Sequence, residues 1–214
     1  FLDGTKPANE EAERLRTAMQ VFMLEDATSV TNHLRQLATS ENDFAGLLLL
    51  FRPYGISRSE AAQIANQLVR KKVVDRLLKL ATTNDKLAIY WSGRLVLEKT
   101  PALSRLKSSY PLSGYSGVGA EIIDKLLILA EGGYVPAQIL VASLSMIDVL
   151  TTQMAAKSKW AVRGANHSLE NILPALTATA QKGFVDAQGL LGFLYADGWK
   201  EKGKDIVRAD QRQA

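Results

Sequence analysis

The fold is decided by the stretch Ala130-Glu-Gly-Gly-Tyr-Val-Pro-Ala-Gln138, which returns 50 residues later as Ala180-Gln-Lys-Gly-Phe-Val-Asp-Ala-Gln188. Both stretches begin with an alanine, carry a glycine three residues later and have a second alanine four residues after the glycine. Self-similarity at a period of roughly 40 to 50 residues is typical of proteins built from stacked helical hairpins. The fold is therefore predicted from this repeat and not from any single motif.

Two further copies precede these stretches, and apolar columns run through all four. The first alanine of each copy is Ala38, Ala81, Ala130 or Ala180. Four residues before it stands a leucine in every copy: Leu34, Leu77, Leu126 and Leu176. Eight residues before it stand β-branched aliphatic residues: Val30, Val73, Ile122 and Ile172. Offsets of four and eight lie on one face of an α-helix, so each copy predicts a first helix that ends near this alanine.

A second helix is predicted to follow the second alanine of each copy. Ala137, Leu140 and Val141 have the spacing of an amphipathic helix, and the last copy repeats it. Helices often end on a left-handed residue, for which glycine is best suited and asparagine is tolerated. Gly133, Gly183 and Asn84 occupy this position in three copies. The first copy has Glu41 there, so Asn42 is expected to take the left-handed role instead.

The last copy resembles the Sel-like repeat family, which is related to the tetratricopeptide repeats. The matching residues are Ala180, Gly183, Ala187, Leu191-Gly192, Tyr195 and Gly198. The third copy departs from the family pattern, with Val141-Ala142 and Ser145 in place of Leu-Gly and Tyr. The resemblance covers most of residues 28–214 and implies an α/α solenoid with a scaffold or adaptor role and no catalytic residues. It also implies that Asp205 and Ala209 open the family's next helix.

The predicted fold class is therefore all-α, an α/α superhelical solenoid of antiparallel helical hairpins in one domain, 1–214. Its predicted segments are an N-terminal helix (1–27), a degenerate first repeat (28–70), a second (71–119), a third (120–168) and a fourth (169–214). The fourth is expected to run into a truncated further repeat, so the sequence is expected to be a piece of a longer protein.

Several shorter signals complete this interpretation. An amphipathic helix is expected from about Ala8 to Leu24, and Ser57 with Glu60 forms a capping box that predicts another helix. Pro174 is expected in the first turn of its helix. The stretch 101–119, rich in Gly, Pro and Ser toward its end, predicts a long loop that is either a mobile connector or a binding loop.

Composition excludes some classes of function. The chain has a net charge of +4 and a pI near 9.2, which favours an acidic partner, but its densest basic run is only Arg70-Lys-Lys72. Nucleic acid is therefore an alternative partner, not the first choice. There is no cysteine, and the apolar stretch Val135–Ile147 is too short to span a bilayer. A soluble periplasmic or secreted protein is favoured over a cytoplasmic one, although the compartment stays open.

Motifs that carry chemistry are weak. The glycines of the 101–119 stretch lack the Gly-Lys-Ser/Thr that a phosphate loop needs, and Val118 stands where a hydrolase elbow needs glycine. His33 and His167 lie far apart in sequence, and the carboxylates Glu10-Glu11 are explained by solvation at a helix end. No enzyme activity, cofactor, metal or small-molecule substrate is therefore expected.

One basic stripe is the candidate binding site. Lys72, Arg76 and Lys79 share one face of the second repeat's first helix, and Lys125 holds the column of Arg76 in the next repeat. The hypothesis is that an acidic segment of a protein partner binds this stripe on the concave side of the solenoid. The alternatives are a solvated basic face partly neutralised by Asp75 and Asp124, a nucleic-acid-binding repeat protein, or an accessory module of a cell-envelope enzyme.

Overall fold

The computed structural model describes residues 7–23, 27–51, 55–97, 101–107, 110, 117–146, 169–181, 185–201 and 204–210. Its elements are α1 (Glu10–Phe22), α2 (Ala27–Thr39), α3 (Asp43–Leu50), α4 (Arg58–Arg70), α5 (Val73–Thr82), α6 (Lys86–Leu97), α7 (Pro101–Lys107), α8 (Gly117–Glu131), α9 (Val135–Met146), α10 (Leu169–Gln181), α11 (Val185–Asp197), β1 (Trp199–Glu201) and β2 (Lys204–Val207). The protein is thus mostly α-helical, as predicted, whereas the stacking of its hairpins into a superhelix stays a prediction. The chain divides into two compact units, Phe1–Lys125 and Leu126–Ala214.

The four repeats correspond to four helix pairs, α2/α3, α5/α6, α8/α9 and α10/α11. In each pair, three residues separate the end of the first helix from the start of the second. The leucine column is buried in every copy, at Leu34, Leu77, Leu126 and Leu176. The second alanines are also fully buried: Ala45, Ala88, Ala137 and Ala187. The periodicity in the sequence therefore identified the buried faces of the helices correctly.

The connection within each hairpin repeats its backbone geometry. Glu41, Asn84 and Gly133, three residues after the first alanine, have φ angles of 70°, 63° and 85°. The expectation that Asn42 would be the left-handed residue of the first copy is wrong, because the three-residue connection puts that conformation on Glu41. Gly183 lies outside the described residues.

A glutamine ties the two helices together in the third and fourth hairpins. Gln138 donates from Nε2 to the carbonyl oxygen of Ala130 at 3.1 Å. Gln188 donates in the same way to Ala180, also at 3.1 Å. The last carbonyls of a helix have no partner within the helix. The carbonyl of Ala130 accepts from the backbone N–H of Gly133 at 3.0 Å, and Gln138 adds a second hydrogen bond to it. We call this contact the glutamine clamp.

In the first unit, α1 packs against both of the first two hairpins. Asn9 caps it, since the side-chain oxygen accepts from the backbone N–H of Ala12 at 2.9 Å. The predicted apolar face is confirmed, with Ala12, Leu15, Met19 and Phe22 buried. The capping box is confirmed as well: Ser57 Oγ accepts from the backbone N–H of Glu60 at 3.1 Å, and α4 follows.

Two expectations about the middle and end of the chain are wrong. Residues 101–107 form α7 and not a loop; Pro101 suits the first position of a helix, and Leu103 and Leu106 are fully buried, with α7 packed against α4. Residues 117–119 also differ from the expected loop, because they begin α8, while 108–109 and 111–116 lie outside the described residues. Pro174 lies in the second turn of α10 and not in the first. Because proline has no backbone N–H, the helix lacks one backbone donor at this position.

The chain after α11 forms a short antiparallel hairpin and not the expected helix. Asp205 belongs to β2, which pairs with β1, and Ala209 lies two residues after β2, outside any helix. Gly198 (φ 71°) ends α11 in the left-handed region, and a Cβ on it would lie 3.0 Å from the backbone nitrogen of Ala209. This close return of the chain, together with the β-branched pair Ile206-Val207, favours a strand over a helix.

Candidate partner-binding surface

Helix α5 carries two of the four predicted site residues, Arg76 and Lys79. It is amphipathic, because Val73, Val74, Leu77, Leu80 and Ala81 are buried and polar residues occupy the other side. Lys72 precedes it in a left-handed conformation, with φ at 53°, and forms the sharp connection from α4. The side chains of Lys72 and Lys79 are exposed.

Arg76 does not lie free on this side of α5. Its guanidinium donates to both carboxylate oxygens of Glu11 on α1, at 2.7 to 2.9 Å. It also donates to Asp43 Oδ2 at the start of α3, at 2.8 Å. Lys71 reaches the other oxygen of Asp43 at 2.7 Å. Arg76 therefore joins α5 to α1 and α3, and a negative charge at its position would face two carboxylates.

The electrostatics of this cluster favour its charged form. Burial alone would raise the pKa of Asp43, but the hydrogen bonds from Lys71 and Arg76 outweigh burial and hold that pKa below its ordinary value. Burial alone would lower the pKa of Arg76, and the hydrogen bonds to Asp43 and Glu11 raise it instead. The guanidinium also stacks 5.4 Å from the ring centre of Phe44.

Lys125 is engaged within the protein as well. Its Nζ donates to the carbonyl oxygen of Ala81 in the last turn of α5, at 2.8 Å. A lysine at a helix C-terminus is favourable because it meets the negative end of the helix dipole. Lys125 and Arg76 are thus held by intramolecular contacts.

The residues that remain available to a partner are Lys72 and Lys79, with Asp75 between them, all exposed. We call these three the α5 surface. Tyr110 borders it: burial raises the pKa of its phenol, and the negative charge of Asp75 raises it further. Of the four predicted residues, Lys72 and Lys79 are exposed, whereas Arg76 and Lys125 form hydrogen bonds within the protein.

The partners of Arg76 were missed because they lie 65 and 33 residues away in the chain. One signal was available. Glu11 stands four residues before Leu15 and seven before Ala18, both fully buried, so it continues the apolar stripe of α1. A carboxylate in line with such a stripe is expected to need a charged partner, and the interpretation that solvation explains Glu11 is wrong.

Other candidate chemistry gives no site in the described part of the chain. Within it, no group of three or more His, Asp or Glu side chains could hold a metal ion. His33 is exposed on α2, and His167 lies outside the described residues. Among the described helices, none is long and apolar enough to cross a membrane.

Comparison of the chain with protein-family models, with curated proteins and with solved structures finds no match. The resemblance to Sel-like repeats therefore rests on the quoted residues of the last copy alone. The protein is best described by its architecture, a mostly helical chain with four helical hairpins of common internal pattern.

Proposed function

We propose that the protein is a non-catalytic interaction module that binds an acidic segment of a partner protein on the α5 surface. The observation that carries the proposal is the repeated hairpin, with the same leucine and alanine columns buried in four copies. Repeats of this kind expose long, regular surfaces whose common use is recognition of other proteins.

The exposed charges at α5 support the choice of this surface. Lys72, just before α5, and Lys79 within it are exposed, and Arg76 between them is neutralised by Glu11 and Asp43. Exposed lysines of this kind steer a partner and set the salt dependence of association more than they set the final affinity. A partner segment with two or more carboxylates fits this spacing.

The test compares two charge reversals at exposed basic residues on neighbouring helices. Lys79→Glu alters the α5 surface, whereas Arg58→Glu makes the same change of charge at the start of α4. Proteins retained by the immobilised chain are identified and purified, and their binding is measured at low and at physiological salt. The proposal expects Lys79→Glu to weaken binding about tenfold at low salt and Arg58→Glu to leave it unchanged.

Equal binding by both variants would show that the partner docks elsewhere. Because a glutamate near the end of α5 opposes the helix dipole, thermal melting of each variant must accompany the binding data. Binding of a 20-base-pair DNA duplex that falls steeply with salt, with no protein partner retained, would identify a nucleic-acid-binding protein instead.

A further inference from the structure

The α5 surface carries charges of both signs. Lys72 precedes the helix, Asp75 lies in its first turn and Lys79 lies in its last turn, so the charges follow one another as positive, negative and positive. All three residues are exposed. A partner segment with acidic residues alone would therefore meet a carboxylate between the two ammonium groups.

These three charges have no partner within the described part of the chain. There, the side chains of Lys72, Asp75 and Lys79 form no hydrogen bond and no ion pair. Asp75 and Lys79 stand four residues apart, a spacing at which opposite charges on a helix can pair, yet their side chains are not joined. Both signs of charge are thus available to a partner.

The charged cluster next to this surface contributes no net charge. Arg76 and Lys71 bring two positive charges to it, and Glu11 and Asp43 bring two negative charges at ion-pair distance. Opposite charges held this close largely cancel at a distance. The unpaired charges of the α5 surface therefore decide which charges on a partner are favoured.

Tyr110 indicates what the negative charge of this surface suits. Burial raises the pKa of its phenol, and the charge of Asp75 raises it further, so the ring and the carboxylate are neighbours. An aromatic ring near a carboxylate suits a basic side chain, which can pair with the acid and also interact with the ring face.

The contact between α5 and α1 indicates the form of the partner segment. Glu11, in the first turn of α1, accepts from the guanidinium of Arg76 at 2.7 to 2.9 Å. Helix α5 thus already pairs with a carboxylate that another helix presents. Side chains three or four residues apart on a helix lie on one face, so a single helix can present two acidic residues with a basic residue between them.

We propose that the α5 surface selects a helical segment of a partner protein with a basic residue between two acidic ones, and that Asp75 determines this selectivity. The acidic side chains pair with Lys72 and Lys79, and the basic side chain pairs with Asp75. A segment with acidic residues at all three positions places a carboxylate against Asp75 and is disfavoured by like-charge repulsion. This selectivity rests on the proposed function, because it specifies the partner of the same surface.

The experiment uses three labelled helical peptides and fluorescence anisotropy at low salt. Each peptide has two glutamates two turns apart on one face, and the residue midway between them is lysine, alanine or glutamate. We expect the lysine peptide to bind at least about tenfold more tightly than the glutamate peptide, with the alanine peptide between them. The net charge of +4 on the protein works against this order, because it attracts the most acidic peptide most strongly.

Variants at Asp75 test whether this residue sets the order. Asp75→Lys should reverse it, so that the glutamate peptide binds best, and Asp75→Asn should remove most of the difference. Glu13→Lys makes the same change of charge at an exposed position in the first turn of α1 and should leave the order unaltered. A lysine in the first turn opposes the helix dipole in both charge reversals, so thermal melting accompanies the binding data.

The selectivity and the proposed function can fail separately. Equal affinity of the unaltered protein for the lysine and glutamate peptides, an unchanged order in Asp75→Lys, or no binding of any peptide at millimolar concentration would each overturn the selectivity. The proposed function is judged by the partner protein itself, through its retention on the unaltered chain and its weaker binding to Lys79→Glu.

Discussion

Lys125 donates from Nζ to the carbonyl oxygen of Ala81 at 2.8 Å, although the two residues are 44 positions apart. Ala81 is the first alanine of the second repeat. In the third and fourth repeats, the carbonyl of the corresponding alanine accepts the glutamine clamp. The second repeat has Ile89 where the clamp glutamine would stand. Lys125 of α8 thus donates to the carbonyl that accepts from a glutamine in the later hairpins, in addition to the hydrogen bond which Ala81 accepts from the backbone of Asn84.

This contact makes Lys125 a stabilising residue. Lys125→Met keeps the helix propensity and most of the side-chain length but removes the donor, so we expect it to lower the free energy of unfolding by about 1 kcal/mol. Lys79→Met, at an exposed position of α5, should lower it by less than about 0.5 kcal/mol. Urea denaturation followed by circular dichroism measures both. Equal values for the two variants would mean that the Lys125 contact contributes nothing.

The buried leucine column predicts large and similar losses in two repeats. Leu77 and Leu126 are at most 1% exposed, so truncation of either to alanine opens a cavity where helices meet. We expect each to cost roughly 2–5 kcal/mol. Leu129→Ala, at a half-buried position of α8, should cost distinctly less. If Leu126→Ala and Leu129→Ala melt at the same temperature, the alignment of the repeats is wrong.

The left-handed turn residue of the first hairpin offers a stabilising change. Glu41 adopts a φ of 70°, a conformation that is unfavourable for residues with a Cβ. Glu41→Gly removes this strain and should raise the free energy of unfolding by about 0.5–1 kcal/mol. Ser40→Gly, one residue earlier, relieves no such strain and should be neutral or destabilising. Thermal melting of the two variants tests the prediction. A melting temperature of Glu41→Gly below that of the unaltered protein would contradict it.

The depressed pKa of Asp43 predicts acid sensitivity. The stability that this carboxylate contributes is fully present above its unfolded-state pKa, near 3.9, and is lost as the pH falls through the lower folded-state pKa. Asp43→Asn cannot titrate, so its free energy of unfolding should depend less on pH below about 4 than that of the unaltered protein. Denaturation in urea between pH 2 and pH 6 measures both slopes, and equal slopes would exclude a role for Asp43.

How far the sequence could predict this structure depends on the range of each interaction. The leucine column and the capping box at Ser57 follow from residues within two helical turns, and both were predicted correctly. The ion pairs of Arg76 depend on residues 65 and 33 positions away, which no local pattern contains. The proposed stripe of four cations stays a prediction, and the spacing of residues along a helix could not show that Arg76 is already paired with Glu11 and Asp43.

The error at the end of the chain has a different cause. A helix at Asp205 was predicted from the resemblance to Sel-like repeats. That prediction gave the family pattern more weight than the local residues, which favour a strand. Trp199, Ile206 and Val207 have high strand propensity, and Gly198 is suited to the turn that precedes them. The loop prediction for 101–107 had a similar cause. It rested on the glycines and prolines further along the chain and ignored the helical spacing of Leu103 and Leu106.

The glutamine clamp bears on how such a chain can grow or be re-engineered. In the third and fourth hairpins the donor and the acceptor lie in the same pair of helices, so a duplicated or transplanted pair brings its own clamp with it. The second hairpin receives its contact from Lys125 of α8, in the next repeat, so copied alone it would lose the hydrogen bond from this lysine to Ala81. The third and fourth hairpins each contain both residues of their clamp, so they are the better units from which to assemble longer arrays.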